Sequence, residues 1–430
     1  MPLLPFQVPS KDHLVQVHAK HQASLDASDT GTGKTYIAAQ LAQDLGLKPL
    51  VLCPKAVIST WHRIAGEFRV PVVDVLNPEK LKTGKTSWLA RRGKGRFAWT
   101  VPDPHAVMLV FDEVHQYGAP DSQNALILAS AKSCGFHVHM MSATLAESPL
   151  RMRAPGYLLG LHNYHDFWNW AARNACYRNP WNGMEFSRGP KGQEALKRIH
   201  AHIFPEYGVR ISIADLPDFP AALIQPEAYD LDEINEIREA YEEMDEELAG
   251  DEQPNALVAL LRARQKTELL KCPFVFEMMK EHLEENHSVV VFCNFKDTLW
   301  KLKSYCTEAG LAVSEIHGDQ NAADRDWNIA EFQKNNRHVC LAIVQAGGMG
   351  VSLHDLNGRP RVSIIFPPLT ARDLKQALGR IHRAGSLSPA VQKIVFAAGT
   401  VEEDVCKMVK RKLDNLDLLN DGDVSGGILK

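Results

Sequence analysis

Short apolar runs alternate along this chain with stretches whose apolar positions recur every three or four residues. Runs of the first kind read as buried strands and stretches of the second kind as helices, and their alternation predicts parallel α/β domains. The first half offers strands over residues 50–53, 107–111 and 137–141. The second half offers strands over 289–292, 312–316, 339–343, 362–366 and 393–396. Between the two blocks the character changes. From 227 to 252 carboxylates crowd the chain, with Arg238 the only base. Ile234, Ile237, Tyr241, Met244 and Leu248 recur at alternating three- and four-residue steps, which predicts a helix with a narrow apolar stripe. Gly250 and Pro254 break it, and a second helical stretch over 256–270 carries Arg262, Arg264 and Lys266. Residues 220–272 therefore read as a helical connection, and the acidic run as a solvated helix face.

A length of 430 residues agrees with two cores and not one. The formal net charge of −4 changes what can be expected of nucleic-acid contacts. Proteins that coat nucleic acid are usually basic, so here such contacts must come from local patches, backbone amides and helix N-termini. The eight cysteines are scattered with no CxxC pair, which points to a reducing compartment and no structural zinc. No signal peptide and no run of membrane-spanning length is visible. A soluble, intracellular protein is expected, in the cytoplasm or a host nucleus, with no membrane partner.

The chemistry begins at Ser28-Asp29-Thr30-Gly31-Thr32-Gly33-Lys34-Thr35, which leads into a helical stretch over 36–45. Glycines let backbone N–H groups close around phosphates, and the helix N-terminus adds its dipole. Lys34 would reach the β- and γ-phosphates of ATP, and the Thr35 hydroxyl would ligate magnesium. The strict pattern has glycine where this chain has Ser28, a small residue. By itself Gly-Lys-Thr could be a basic turn capping a helix. A second element strengthens it: the apolar run 107–111 ends in Asp112-Glu113-Val114-His115. Ligands bind at strand termini of such sheets, where Asp112 would hold magnesium and Glu113 would polarise the attacking water. Ser142-Ala143-Thr144 follows the next predicted strand and alone says no more than a helix N-cap.

In the second half, Gln376, Arg380 and Arg383 fall at four- and three-residue steps, which predicts one helix face. An arginine supplied to phosphoryl transfer is typically worth about 10³–10⁵ in rate. Upstream, Gln345-Ala346-Gly347-Gly348-Met349-Gly350-Val351-Ser352 follows a predicted strand, and its glycines permit close backbone approach to a ligand. A plain turn is the alternative there.

Taken together, GTGKT, DEVH, SAT and QALGRIHR resemble motifs I, II, III and VI of the superfamily 2 helicases. Gln7 within Leu4-Pro5-Phe6-Gln7 resembles an adenine-reading element, and the run from Val51 through Pro54 and Lys55 to Trp61 resembles motif Ia. Ile316-His317-Gly318-Asp319 with Asp324-Arg325, then GRIHRAG and Gly399-Thr400-Val401-Glu402-Glu403, is similar to the second lobe of Swi/Snf-type translocases, most of all the annealing helicases. Pro367-Pro368-Leu369-Thr370 departs from that branch, as do positions 28 and 384. The resemblance implies two tandem RecA-like domains, 1–219 and 273–430, joined by 220–272, that clamp ATP and magnesium between them. It implies a nucleotide site of Gln7, Thr30, Gly31, Thr32, Gly33, Lys34, Thr35 and Gly350, metal ligands Thr35 and Asp112, and catalytic Lys34, Glu113, Gln376, Arg380 and Arg383. Lys55, Thr60 and Gly348 would lie near a DNA backbone. The implied activity is ATP-driven translocation on, or remodelling of, duplex or branched DNA, with an RNA helicase or a nucleotide-switched factor of little turnover as the alternatives. A monomer is expected, a protein partner is left open, and so compact a motor suits a phage, virus or mobile element.

Three further features carry alternative readings. The basic stretch with Lys80, Lys82, Lys85, Arg91, Arg92, Lys94 and Arg96 around Trp88, Phe97 and Trp99 reads equally as a DNA-binding loop or a solvated one. The aromatics Phe167, Trp168, Trp170 and Tyr177 favour a packed subdomain over a stacking platform. His162, His165 and Cys176 lack a fourth ligand in zinc spacing.

Overall fold

The computed structural model describes residues 2–84, 86–93, 97–216, 222–229, 234–249, 256–347, 351–398 and 400–422. The strands of the first half are β1 (Ala23–Asp26), β2 (Lys48–Leu52), β3 (Asp74–Leu76), β4 (Leu89–Arg91), β5 (Phe97–Trp99), β6 (Val107–Asp112), β7 (His137–Met141), β8 (Cys176–Arg178), β9 (Met184–Phe186) and β10 (Gly208–Val209). Six of them form one sheet in the order β10-β1-β7-β6-β2-β3, every pair parallel. A parallel sheet is covered on both faces, so a central strand carries apolar side chains throughout. β6 does so, with Val107 to Phe111 all buried. Leu50, Leu52, Leu109 and Phe111 belong to one core layer, and Val51, Met108 and Val110 to the other with Ile37, Ala38 and Leu41 of the helix Lys34–Asp44. The loops after β1, β7 and β6 leave this sheet at the same edge, because those strands are neighbours running the same way.

In the second half the strands are β11 (Ala222–Tyr229), β12 (Ser288–Cys293), β13 (Val313–Ile316), β14 (Val339–Ile343), β15 (Arg361–Ile365) and β16 (Ala390–Ala397). They pair in the order β11-β16-β15-β12-β14-β13, again all parallel. The chain thus forms two parallel-sheet α/β domains flanked by helices.

The domain edges differ from the sequence reading. Residues 220–272 were expected to be a helical connection, yet β11 pairs along its whole length with β16. Gln225, Pro226 and Glu227 hide this strand from an apolar pattern, and an edge position tolerates the proline. The following helices, Ile234–Ala249 and Ala256–Glu284, join the second unit, where Ile237, Tyr241 and Ala263 pack with Ala397. The described residues fall into two compact units, one of 2–216 with 413–422 and the other of 222–412. The helix Val401–Asp421 accordingly ends in the first unit, with Leu418 and Leu419 in its core, although the sequence reading kept all of 273–430 together.

The Gly-Thr-Val-Glu-Glu run acquires a physical role in the second unit. Lys271, with no exposed side-chain area, donates to both Glu402 oxygens at 2.7 and 2.9 Å and to the Val395 carbonyl at 3.3 Å. Glu402 also accepts from the Ala397 amide at 2.9 Å. Removing one partner strands a buried charge, so Glu402→Ala is expected to destabilise the second unit by about 3–5 kcal/mol in urea unfolding. Lys271→Met combined with Glu402→Leu is expected to recover most of that loss.

Candidate nucleotide site

The loop between β1 and the helix Lys34–Asp44 turns at Gly31 and Gly33, with φ of 90° and 88°. Only glycine takes those values without strain, and the second is the helix N-cap. The close approach is real: a Cβ on Gly33 would fall 2.2 Å from Gln7 Nε2. Gln7 is buried, donates from Nε2 to the Thr32 carbonyl at 2.7 Å, and accepts from the Leu4 amide at 2.8 Å. Gln7, Thr30, Gly31, Thr32, Gly33, Lys34 and Thr35 are therefore gathered in one place, with Thr35 in the first helical turn. The first backbone donors of that helix are Tyr36 and Ile37, to the Gly33 carbonyl at 2.9 and 3.2 Å, so the preceding amides of Gly33, Lys34 and Thr35 fall outside its ladder, which suits an anion. Lys34 donates from Nζ to the Ser28 and Asp29 carbonyls at 2.8 and 3.0 Å. Burial lowers its pKa, against the opposing charges of Asp26, Glu113, Asp112 and Asp29.

β6 delivers Asp112 and Glu113 beside this loop. Glu113 has φ 58° and ψ 51°, a left-handed conformation uncommon outside glycine and found disproportionately at functional sites. Its Oε2 lies 3.1 Å from His115 Nδ1, which is also 3.0 Å from Ser142 Oγ and 3.4 Å from Thr144 Oγ1. Glu113 and the Ser-Ala-Thr segment, the latter uninformative alone in the sequence, thus meet at one imidazole. Asp112 accepts from Trp61 Nε1 at 3.0 Å. Its pKa is pushed up to about 6, first by burial and then by the Glu113 charge, while the Trp61 hydrogen bond and Lys34 pull the other way. His115 and Trp61 both lie inside motif runs that the sequence displays, yet residue type gave them no assigned task.

Behind the loop, Ser24 Oγ sits between His18 Nε2 and His139 Nδ1 at 2.7 and 2.8 Å, all three buried. Burial lowers the two imidazoles to about 3 and about 4. The folded state therefore binds fewer protons than the unfolded chain between those values and the ordinary 6.5. Stability is full above that window and falls as the pH drops into it, by up to about 1.4 kcal/mol per pH unit for each group. Urea unfolding of the first unit at pH 7 and pH 5 checks this, and His139→Gln is expected to flatten the slope.

The second unit holds the other predicted residues, and one expectation is corrected. Gln376, Arg380 and Arg383 do not share a helix face, because the helix Ala371–Leu378 stops before the arginines. Arg383 itself caps the end, donating from Nε to the Gly379 carbonyl at 3.0 Å. Gln376 and Arg380 are buried. The two guanidinium groups converge on one segment: Arg380 Nη1 and Arg383 Nη2 donate to the Val351 carbonyl at 3.1 and 3.0 Å, and Arg383 Nη1 to Ser352 Oγ at 2.7 Å. Gly348 and Gly350 lie outside the described residues. In the first unit, Lys55 is exposed at the turn after β2, and Thr60 is half-buried on the helix Ile58–Glu67, one residue before Trp61.

The remaining candidates resolve on contacts. Trp88, Phe97 and Trp99 pack against the first core, with Trp88 Nε1 on Asp74 at 2.9 Å and Trp99 Nε1 on Ser130 Oγ at 3.0 Å. Those rings are committed to the fold, while Arg91 and Arg92 stay exposed. Lys85, Lys94 and Arg96 lie outside the described residues. Phe167 and Trp170 are buried, whereas Trp168 and Tyr177 are largely exposed. His162 places its ring nitrogens 3.1 Å from the Asn163 and Met152 carbonyls.

The family described as the helicase conserved C-terminal domain matches residues 271–385. A protein of Acanthamoeba polyphaga mimivirus named "Putative ATP-dependent RNA helicase L364" is 32% identical over 460 residues, covering 99% of this chain and 84% of that protein. The CHD3-type chromatin-remodeling factor CHR7 of Arabidopsis thaliana is 27% identical over 168 residues, 37% of this chain and 13% of that one. Among solved structures, S. cerevisiae Dbp5 bound to RNA and ADP BeF3 is similar with a TM-score of 0.52 at 11% identity, covering 94% of this chain and 87% of that one. That likeness concerns the fold of two parallel-sheet domains. No helix among the described residues is long and apolar enough to cross a membrane.

Proposed function

The chain belongs to the superfamily 2 helicases, and from that premise we propose that it is a DNA-dependent ATPase that translocates along, and remodels or reanneals, duplex or branched DNA. The family membership establishes ATP-driven work on nucleic acid; the choice of DNA is the reading advanced here. The observation that carries the catalytic part is the convergence of three loops at one edge of the first sheet, two of them joined through His115 and the third setting Lys34 among the charges of Asp112 and Glu113. The donor set fits a magnesium nucleotide: a glycine cradle at a helix N-terminus, a lysine amid carboxylates, and a desolvated aspartate beside a second carboxylate.

In this reading Thr30, Gly31, Thr32 and Gly33 cradle phosphate with their amides, and Lys34 faces the β- and γ-phosphates. Thr35 and Asp112 hold magnesium, which when bound supplies charge neutralisation at the phosphoryl oxygens. Glu113 orients and polarises the attacking water, and its left-handed backbone with the His115 contact fixes its carboxylate. Gln7 reads the adenine edge. Arg380 and Arg383 stabilise charge developing on the transferred phosphoryl, with Gln376 and Gly350 near the nucleotide. Lys55, Thr60 and Gly348 contact the DNA backbone.

DNA is favoured by the second-lobe motifs, which resemble Swi/Snf-type translocases, and by the likeness to a chromatin-remodeling factor. The rival reading, an RNA helicase, is favoured by the name of the viral relative. A triplex-displacement assay separates them. A DNA translocase strips a third strand from duplex DNA in an ATP-dependent manner without parting the duplex. Failure to do so, together with ATP-driven separation of an RNA duplex, would move the chain to the rival.

A further inference from the structure

Arg210 stands alone between Val209 and Ile211, just after the edge strand β10, and none of the motifs includes it. Its side chain is only 11% exposed and binds two distant parts of the first unit. Nη1 donates to the Ala27 carbonyl at 2.9 Å and to Asp29 Oδ1 at 2.7 Å. Nε and Nη2 make a fork onto Asp421, at 2.6 Å to Oδ1 and 3.0 Å to Oδ2. The other oxygen of Asp29 accepts from the Ile213 amide at 3.1 Å. Asp29 is the second residue of the phosphate loop, and its carbonyl in turn accepts from Lys34 Nζ at 3.0 Å and Thr32 Oγ1 at 2.8 Å. A continuous chain of hydrogen bonds therefore runs from Asp421 through Arg210 and Asp29 to the lysine and threonine of the loop, charge-assisted at every link except the threonine hydroxyl.

The residues around Asp421 also reach the neighbouring loop. Asn420 Nδ2 donates to the buried Ala143 carbonyl at 2.9 Å, the middle of the Ser-Ala-Thr segment that meets His115. Asn415 Nδ2 donates to the Glu147 carbonyl at 3.3 Å, and a ring nitrogen of His200 lies 3.1 Å from the Leu419 carbonyl. Leu418 and Leu419 anchor these turns in the core.

We propose that Arg210 is a positioning residue for the phosphate loop, acting through Asp29, and that residues 413–421 serve the ATP site by holding Arg210 through Asp421. The forked geometry is essential to this: a guanidinium fixes both carboxylates at once, which a lysine ammonium does not. Loosening the loop weakens phosphate binding in the ground state and the transition state alike, so the effect falls on KM and nucleotide affinity more than on kcat. The inference rests on the nucleotide-site reading above.

The test uses the full chain and three variants, Arg210→Lys, Asp421→Asn and Lys34→Ala. Arg210→Ala is avoided because it leaves two half-buried carboxylates without their cation. Melting temperature, steady-state ATP hydrolysis and titration with methylanthraniloyl-ADP are measured on each. Arg210→Lys and Asp421→Asn are expected to raise KM for ATP and the ADP dissociation constant by roughly tenfold, with kcat changed by less than about threefold. A fall in melting temperature with both nucleotide constants unchanged would assign the network to stability alone and overturn the proposal. Parent-like constants in both variants would overturn it as well. A parent chain that binds no nucleotide, or binds it as well with Lys34→Ala, would overturn the ATP-site reading and this inference with it.

Discussion

Glu113→Gln is expected to lower ATP turnover by about 10²–10⁴ at saturating nucleic acid, the range typical of a positioned general base. The isosteric amide keeps the side chain's shape, so folding and nucleotide binding should change little. What it loses is the charge that polarises water and faces the imidazole of His115 at 3.1 Å. The backbone supports the assignment from a different direction. A glutamate held at φ 58° is strained relative to ordinary conformations, and such strain persists where the surrounding structure over-determines it. Phosphate release is the readout, with ADP-analogue binding as the control. Parent-like release in the variant would remove Glu113 from the chemistry.

Arg383→Lys and Arg380→Lys are each expected to cost about 10³ or more in turnover, the scale of a lost arginine finger. Lysine retains the charge, so the loss isolates the guanidinium geometry. Both arginines are held on Val351, and Arg383 also on Ser352, so a structural share must be separated from the catalytic one. Melting temperature does this. A drop in turnover with an unchanged melting transition supports the catalytic role, whereas a drop that tracks unfolding makes the pair a strut for the segment after the glycines.

What the sequence displayed and what it hid follow from particular residues. β6 was visible because a strand buried on both faces must be an apolar run, and it ends where its carboxylates are needed. β1 was invisible although it carries the phosphate loop. Two of its four residues, Ser24 and Asp26, are polar yet fully buried, Ser24 held by the histidine pair and Asp26 accepting from the Ser28 amide through one oxygen. β11 was hidden by Gln225, Pro226 and Glu227, and periodicity gave no reason to carry the helix Ala256–Glu284 through Pro273. The opposite error occurred at Gln376-Arg380-Arg383, where periodic spacing continued past the real helix end at Leu378. Within the site, motif residues contiguous in the chain were legible. Arg210 was not, because its partners Asp29 and Asp421 lie 181 and 211 residues away and leave no local pattern.

Steady-state phosphate release with no nucleic acid, single-stranded DNA, duplex DNA, forked DNA and RNA tests the central claim most directly. A DNA translocase of this family predicts a low basal rate that duplex or forked DNA raises strongly and RNA does not. Stimulation by RNA alone, or a flat low rate under all five conditions, would contradict it.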